Sequence, residues 1–327
     1  MNQTERQLLS HCTLCPRSCG VNRMAGERGY CGAGIQVEAA RAALHRWEEP
    51  CIAGSRGSGT VFFSHCTLGC VFCQNEPVSH GGAGIGIDEQ RLAAIFLELQ
   101  EQGAHNINLV TPTHYLPQIR SAARLARDGG LVLPFVCNCG GYERAESVAL
   151  LADTVSVWLP DFKYASARPA GRYSAAPDYP ERALEALEAM VKQAGPPQFD
   201  EKGLLVRGVL VRHLLLPGQL ADSMQVVRML AERFSGRILL SLMSQFTPMP
   251  GCTARFPELG RLVNPRHYRA LVDFAVSLGA FDCYIQEPSA SDSAFIPSFL
   301  GQGILPKDGP AIGMDPVEKP GQEQGRH

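Results

Sequence analysis

The 327-residue chain predicts an α/β fold built on parallel strands, and three observations carry that expectation. Apolar, β-branched runs alternate with amphipathic helical stretches from Gly59 onward, the pattern of successive βα units joined by right-handed crossovers. Hydrophobic residues make up 45% and charged residues 19%, enough apolar material for one large core. The alternation runs for more than 200 residues without a composition break, as in α/β barrels that form one domain. On this reading alone a full eight-fold barrel, an open barrel and a doubly wound sheet all remain possible.

In chain order, the first strand is Gly59-Thr60-Val61-Phe62-Phe63, an apolar run after glycine. The stretch His80–Gly86 is glycine-rich, lacks the spacing of a phosphate cradle and reads as a flexible loop. Asp88 caps a helix whose apolar positions Leu92, Ile95, Phe96 and Leu99 follow the helical period, ending at Gly103. Further strands are predicted at Ile107–Thr111, Leu131–Val136, Thr154–Leu159, Leu204–Val211 and Ile238–Met243. Helices are predicted at Tyr115–Asp128, Glu143–Leu151, Pro180–Ala194, Asp222–Phe234 and Pro265–Leu278, followed by a short run Cys283-Tyr284-Ile285. The tail beyond Pro306 has few large apolar residues and reads as disordered.

The net charge of -2 gives no electrostatic case for nucleic acid or an anionic membrane as partner. The first residues lack the apolar core of a signal peptide, and no apolar run approaches a membrane span. The twelve cysteines therefore read as metal ligands and buried thiols of a reducing, cytoplasmic compartment.

Two cysteine groups stand out. Cys66, Cys70 and Cys73 follow the first strand with C-x3-C-x2-C spacing. Three thiolates are one short of a closed zinc site and one too many for a disulfide, but suit an iron–sulfur cubane with one iron left open. Cys12, Cys15, Cys19 and Cys31 form a second, knuckle-like group with turn glycines between them. That group is expected to hold zinc, a single iron or a second cluster, because its segment has little apolar residue content with which to fold. Cys51, Cys252 and Cys283 read as packed thiols. Cys137 and Cys139 are expected to point in opposite directions and so not to share a metal.

The C-x3-C-x2-C loop, with Phe72 before its last cysteine, resembles the signature of the radical S-adenosylmethionine (SAM) superfamily. The resemblance is closest to relatives of the pyruvate formate-lyase activating enzyme that carry an N-terminal four-cysteine segment, and it runs from about Cys12 to Phe299. It implies an open (β/α)6 partial TIM barrel at 58–299, a Cys-rich segment at 1–57 and a disordered tail at 300–327. It also implies a [4Fe-4S] cluster on Cys66, Cys70 and Cys73, with Phe72, Asn138, Asp161 and Lys163 binding cofactor. Asn138-Cys139-Gly140-Gly141-Tyr142 and Asp161-Phe162-Lys163 are similar to two SAM-contacting turns of that family. Where the family carries Gly-Gly-Glu, this chain has Thr111-Pro112-Thr113, whose hydroxyls or carbonyls would accept the SAM ammonium. Arg212 and His213 lie at a strand end where some members contact SAM; a satisfied core histidine is the alternative for His213, as a helix-start residue is for His114. The implied activity is reductive cleavage of SAM to a 5′-deoxyadenosyl radical that abstracts hydrogen from a protein or small-molecule substrate. Flavodoxin or ferredoxin would be the electron donor. A non-catalytic iron–sulfur or zinc protein is the alternative from another class.

Overall fold

A computed structural model describes residues 1–286 and 298–306. Among the described residues ten strands form one sheet: β1 (Val37–His45), β2 (Ser58–Phe63), β3 (Ile85–Ile87), β4 (Ile107–Val110), β5 (Phe135–Cys139), β6 (Val155–Pro160), β7 (Gln198–Phe199), β8 (Leu205–Leu214), β9 (Leu239–Met243) and β10 (Cys283–Ile285). Helices α1 (Gln3–Ser10), α2 (Pro50–Ala53) and α3 (Glu76–Ser79) belong to the first quarter of the chain. The others are α4 (Glu89–Glu101), α5 (Leu116–Asp128), α6 (Ala145–Leu150), α7 (Ala167–Ser174), α8 (Tyr179–Ala194), α9 (Leu220–Phe234), α10 (Pro250–Arg255) and α11 (Pro265–Leu278).

The order β10-β9-β8-β6-β5-β4-β2-β1-β3 runs parallel from β10 to β2, turns antiparallel at β1 and β3, and leaves β10 and β3 as edges that no other described strand joins. The sheet is an open α/β barrel, not a closed one. The strands β2, β4, β5 and β9 are buried along their whole length, because both faces are covered. Val61, Leu109, Trp158 and Val209 pack outward on the helices. Val136, Val157, Leu159 and Leu210 point inward, where Cys51 and Ile52 of α2 close the floor. No helix among the described residues is long and apolar enough to cross a membrane.

All six predicted parallel strands are present, with β10 as a short seventh. One is shifted: β5 begins at Phe135, not Leu131, because Pro134 has no N–H for the ladder, although its carbonyl accepts from Ile107. Strand β1 went unpredicted because alternating alanines and charges look no more like strand than helix; it occupies residues of the N-terminal segment and pairs with β2. Part of the predicted glycine-rich loop forms β3 on its far side. Helix α7, interrupted in sequence by Pro169 and Gly171, was also unforeseen. Residues 301–304, placed by the sequence in the tail, dock on β1: Ala42 N–H donates to Gln302, Gly301 N–H donates to Ala40, and Ile304 is fully buried. The expectation for residues 307–327 lies outside the described residues.

Candidate active site

The cysteine loop leaves the C-terminal end of β2, where parallel barrels place reactive groups. His65 starts it with φ 74°, a left-handed conformation unusual for a side chain this size, and its Nε2 lies 3.1 Å from Glu38. Just before it, the Ser64 carbonyl accepts a 2.7 Å hydrogen bond from buried His114 Nε2. Burial holds that imidazole neutral, with its pKa pushed down to about 3. His114 therefore acts as a strut beneath the loop.

The C-terminal turn of α7 clasps the loop from the other side. Its free carbonyls accept Gly69 N–H (Ser174, 3.2 Å) and Val71 N–H (Tyr173, 2.9 Å). Arg17, between two N-terminal cysteines, donates to the Thr67 carbonyl at 3.1 Å and the Ala175 carbonyl at 2.7 Å, with its guanidinium over the Tyr30 ring. Within the loop the thiols lie close enough to oppose one another's ionisation. Burial first, then the neighbouring Cys70, push Cys66 well up and Cys73 to about 11. Such thiols become thiolates when a cation replaces the proton. Phe72 is buried against Phe246.

A dense polar cluster fills the barrel interior. Lys163 Nζ is 2.6 Å from Asp161, and Arg212 reaches the same carboxylate at 3.0 Å. Arg212 also donates to Asn138 Oδ1 at 2.6 Å and pairs with Glu48 at 3.1 Å. Glu48 accepts from both Asn108 and Asn138 at 3.0 Å, and neighbouring Glu49 accepts from Ser241. The isolated bridge between Asp161 and Arg212 holds β6 and β8 in register just beyond the ladder. Burial favours a neutral Asp161, but the charges of Lys163 and Arg212 outweigh it and hold its pKa below the ordinary value. Lys163 is raised despite its burial, by Asp161 and then by Cys70. Its charge in turn eases ionisation of Cys66 and Cys73, so the Asp161–Lys163 pair and the cysteine loop share one electrostatic site.

At the end of β4, Thr111 has φ 58°, a strained conformation for a β-branched residue. Thr113 donates to Glu143 at 2.9 Å. Glu143 is buried, and burial pushes its pKa up to about 7 against the hydrogen bonds of Thr113 and Cys139. Gly141, at φ 79°, lies where a Cβ would meet the Asp161 carbonyl at 2.1 Å; only glycine lets the two turns approach. Cys137 and Cys139 are hydrogen-bonded neighbours on the outer face of β5, contrary to the expected opposite directions, since residues two apart on a strand share a face. His213 is a core histidine whose Nδ1 lies 2.6 Å from the Phe162 carbonyl, while its buried Nε2 has no partner among the described atoms.

The four N-terminal cysteines also gather: burial first, then the neighbouring Cys31, Cys12 and Cys19, raise Cys15 to about 12. Among the described residues no three Cys, His, Asp or Glu groups converge on a point that would hold a single metal ion. A cubane sets each thiolate on a different iron, so the Cys66–Cys73 loop needs no such convergence.

Asn138, Asp161 and Lys163 share one polar cluster, and Lys163 lies within electrostatic reach of Cys66 and Cys73. Arg212, already singled out at its strand end, is the hub of that cluster, and the structure adds Glu48, Glu49, Asn108, Glu143 and Ser174, none of which carried a sequence motif. Glu48 and Glu49, consecutive acids just before Pro50 and the apolar turn of α2, were the available signal.

No family model matches the chain. The uncharacterized protein MJ0674 of Methanocaldococcus jannaschii is 26% identical over 253 residues, covering 74% of this chain and 68% of the relative. Among solved structures the chain is similar to Streptococcus suis SuiB bound to precursor peptide SuiA, with 11% identity and TM-score 0.46 over 68% of this chain and 46% of that one. It is also similar to the FeFe-hydrogenase maturase HydG from Carboxydothermus hydrogenoformans, with 11% identity and TM-score 0.46 over 72% of this chain and 55% of that one. The chain spans about half the length of these two solved proteins.

Proposed function

We propose that this chain is a radical SAM iron–sulfur enzyme of the activating-enzyme type. The observation that carries the reading is the set of Cys66, Cys70 and Cys73 on one loop at the C-terminal end of β2, with Lys163, locked to Asp161 at 2.6 Å, within electrostatic reach of their thiols. The donor set fits a cubane held at three corners: three thiols on one short loop, a hydroxyl beside two of them and a cation nearby. When bound, the cluster and SAM supply a 5′-deoxyadenosyl radical for hydrogen abstraction from a protein or small-molecule substrate. Asn138, Asp161 and Lys163 would hold SAM, with Asp161 kept anionic by Lys163 and Arg212 to meet a cationic or hydroxyl-bearing group. Phe72 and Leu68 shield the loop from water.

Cys12, Cys15, Cys19 and Cys31 belong to the proposal as a second metal-binding group on the strength of their spacing. Anaerobic reconstitution with iron and sulfide, then reduction by dithionite, is expected to give 5′-deoxyadenosine and methionine from SAM. Single Cys66→Ala, Cys70→Ala or Cys73→Ala changes abolish turnover, because a methyl group cannot ligate iron. Turnover persisting in all three variants refutes the assignment. Protein with Cys66, Cys70 and Cys73 all replaced by Ala should retain metal after mild chelation; complete loss removes the N-terminal group from the proposal.

A further inference from the structure

The three thiols of the loop differ in the donors that face them. Cys66 Sγ accepts the Leu68 backbone N–H at 3.4 Å. Cys70 Sγ lies 3.0 Å from Ser174 Oγ, and Ser174 Oγ lies 2.7 Å from the Tyr164 hydroxyl. Both residues are buried, Ser174 completely and Tyr164 with 1% of its surface exposed, so water does not compete. Cys73 Sγ accepts from Ser79 Oγ at 3.3 Å.

The directions of these bonds follow from proton counting. An iron-bound thiolate has no hydrogen to give, so Ser174 must point its single hydrogen at Cys70. Its oxygen then accepts from Tyr164, and the chain runs Tyr164 to Ser174 to Cys70. Burial, followed by the negative charge at Cys70, keeps the Tyr164 phenol protonated and hence a donor. Ser79 is placed differently. His80 Nε2 is 3.0 Å from the Leu68 carbonyl, which can only accept, so in the neutral ring Nε2 carries the hydrogen and Nδ1 accepts. Ser79 Oγ lies 2.8 Å from that Nδ1, so its one hydrogen is divided between His80 and Cys73. Cys70 therefore has an undivided donor with a second hydroxyl behind it, and Cys73 a shared one.

We propose that the Tyr164–Ser174 relay, assisted by Ser79, sets the reduction potential of the cluster, acting chiefly through Cys70. This rests on the reading that Cys66, Cys70 and Cys73 hold a [4Fe-4S] cluster. The step concerned is a one-electron reduction in which no bond is made or broken and no proton moves; a low-potential reductant such as dithionite supplies the electron. Added negative charge spreads onto the thiolate sulfurs, so a hydrogen bond to sulfur stabilises the reduced cluster more than the oxidised one and raises the potential. Ser174 and Tyr164 are positioning residues: they touch a ligand, not the reacting atoms.

The test is the midpoint potential of the reconstituted cluster, followed by EPR during a redox titration without SAM, for the full chain and for Ser174→Ala, Ser174→Thr, Tyr164→Phe and Ser79→Ala. Ser174→Ala is expected to lower the equilibrium constant for reduction about tenfold, a shift of about 59 mV to lower potential for a one-electron couple. Ser174→Thr keeps the hydroxyl and restores the potential; Tyr164→Phe and Ser79→Ala shift it the same way by less. If Ser174→Ala takes up no cluster, Tyr164→Phe decides, since it leaves Ser174 on Cys70. A parent cluster whose potential ignores Ser174→Ala or, in that event, Tyr164→Phe overturns the relay alone. A parent protein that takes up no cluster overturns both the relay and the cluster assignment beneath it.

Discussion

Asp161→Asn isolates the electrostatic centre of the barrel. The substitution keeps size but exchanges one acceptor oxygen for an NH2 donor and removes the counter-charge that Lys163 meets at 2.6 Å and Arg212 at 3.0 Å. The three side chains are 15–20% exposed, well inside the regime where water screens poorly. At that separation and an effective dielectric of about 20, the Coulomb attraction to Lys163 is about 6 kcal/mol, most of it offset by desolvation. Removing one partner from a buried pair typically costs about 3–5 kcal/mol. Arg212 keeps Glu48 and Asn138, so the lower end applies, about 3 kcal/mol. Urea unfolding of the anaerobic apo-protein at pH 7 reads this directly. The double variant Asp161→Asn/Lys163→Met should recover part of the loss, because the stranded cation is gone. The sign with pH is also fixed. The folded Asp161 pKa lies below its ordinary 3.8, so its stabilisation is present above about pH 4 and disappears as pH falls through the lower folded value. A loss below about 1 kcal/mol, the range of exposed pairs, or strictly additive single losses, would refute the coupled cluster.

Glu143 gives the opposite pH dependence. Its folded pKa is raised from 4.5 to about 7, so stability is greatest below about pH 4.5 and falls as pH rises toward 7, by about 3 kcal/mol in all. Glu143→Gln should flatten that part of a urea-midpoint profile, and an unchanged profile would show that the carboxyl titrates normally. Arg17→Ala removes two charge-assisted bonds to the Thr67 and Ala175 carbonyls. It should speed amide hydrogen exchange in Thr67–Val71 about tenfold, corresponding to about 1.4 kcal/mol, near the low end for bonds to charged groups. Unaltered exchange there would mean that the N-terminal segment does not hold the loop.

The parallel part of the fold was legible in the sequence because each buried strand is a short apolar run between turn signals, a pattern set by burial on both faces. The cysteine loop was legible because ligand spacing is local: Cys66, Cys70 and Cys73 lie within eight residues. Asn138, Asp161 and Lys163 could be named only through the motifs that they resemble. What the sequence could not show are contacts between distant segments. Arg212, Glu48 and Asn108 lie far apart in the chain and meet only because the barrel curves and the turn before α2 enters its floor. Ser174 sits on a helix that proline and glycine disguise, yet the register of α7 places its hydroxyl on Cys70. Local periodicity determined the layers and the ligand loop. Curvature of the open barrel decided which charges share the space beneath that loop, because a buried ion must find its partners wherever the fold carries them.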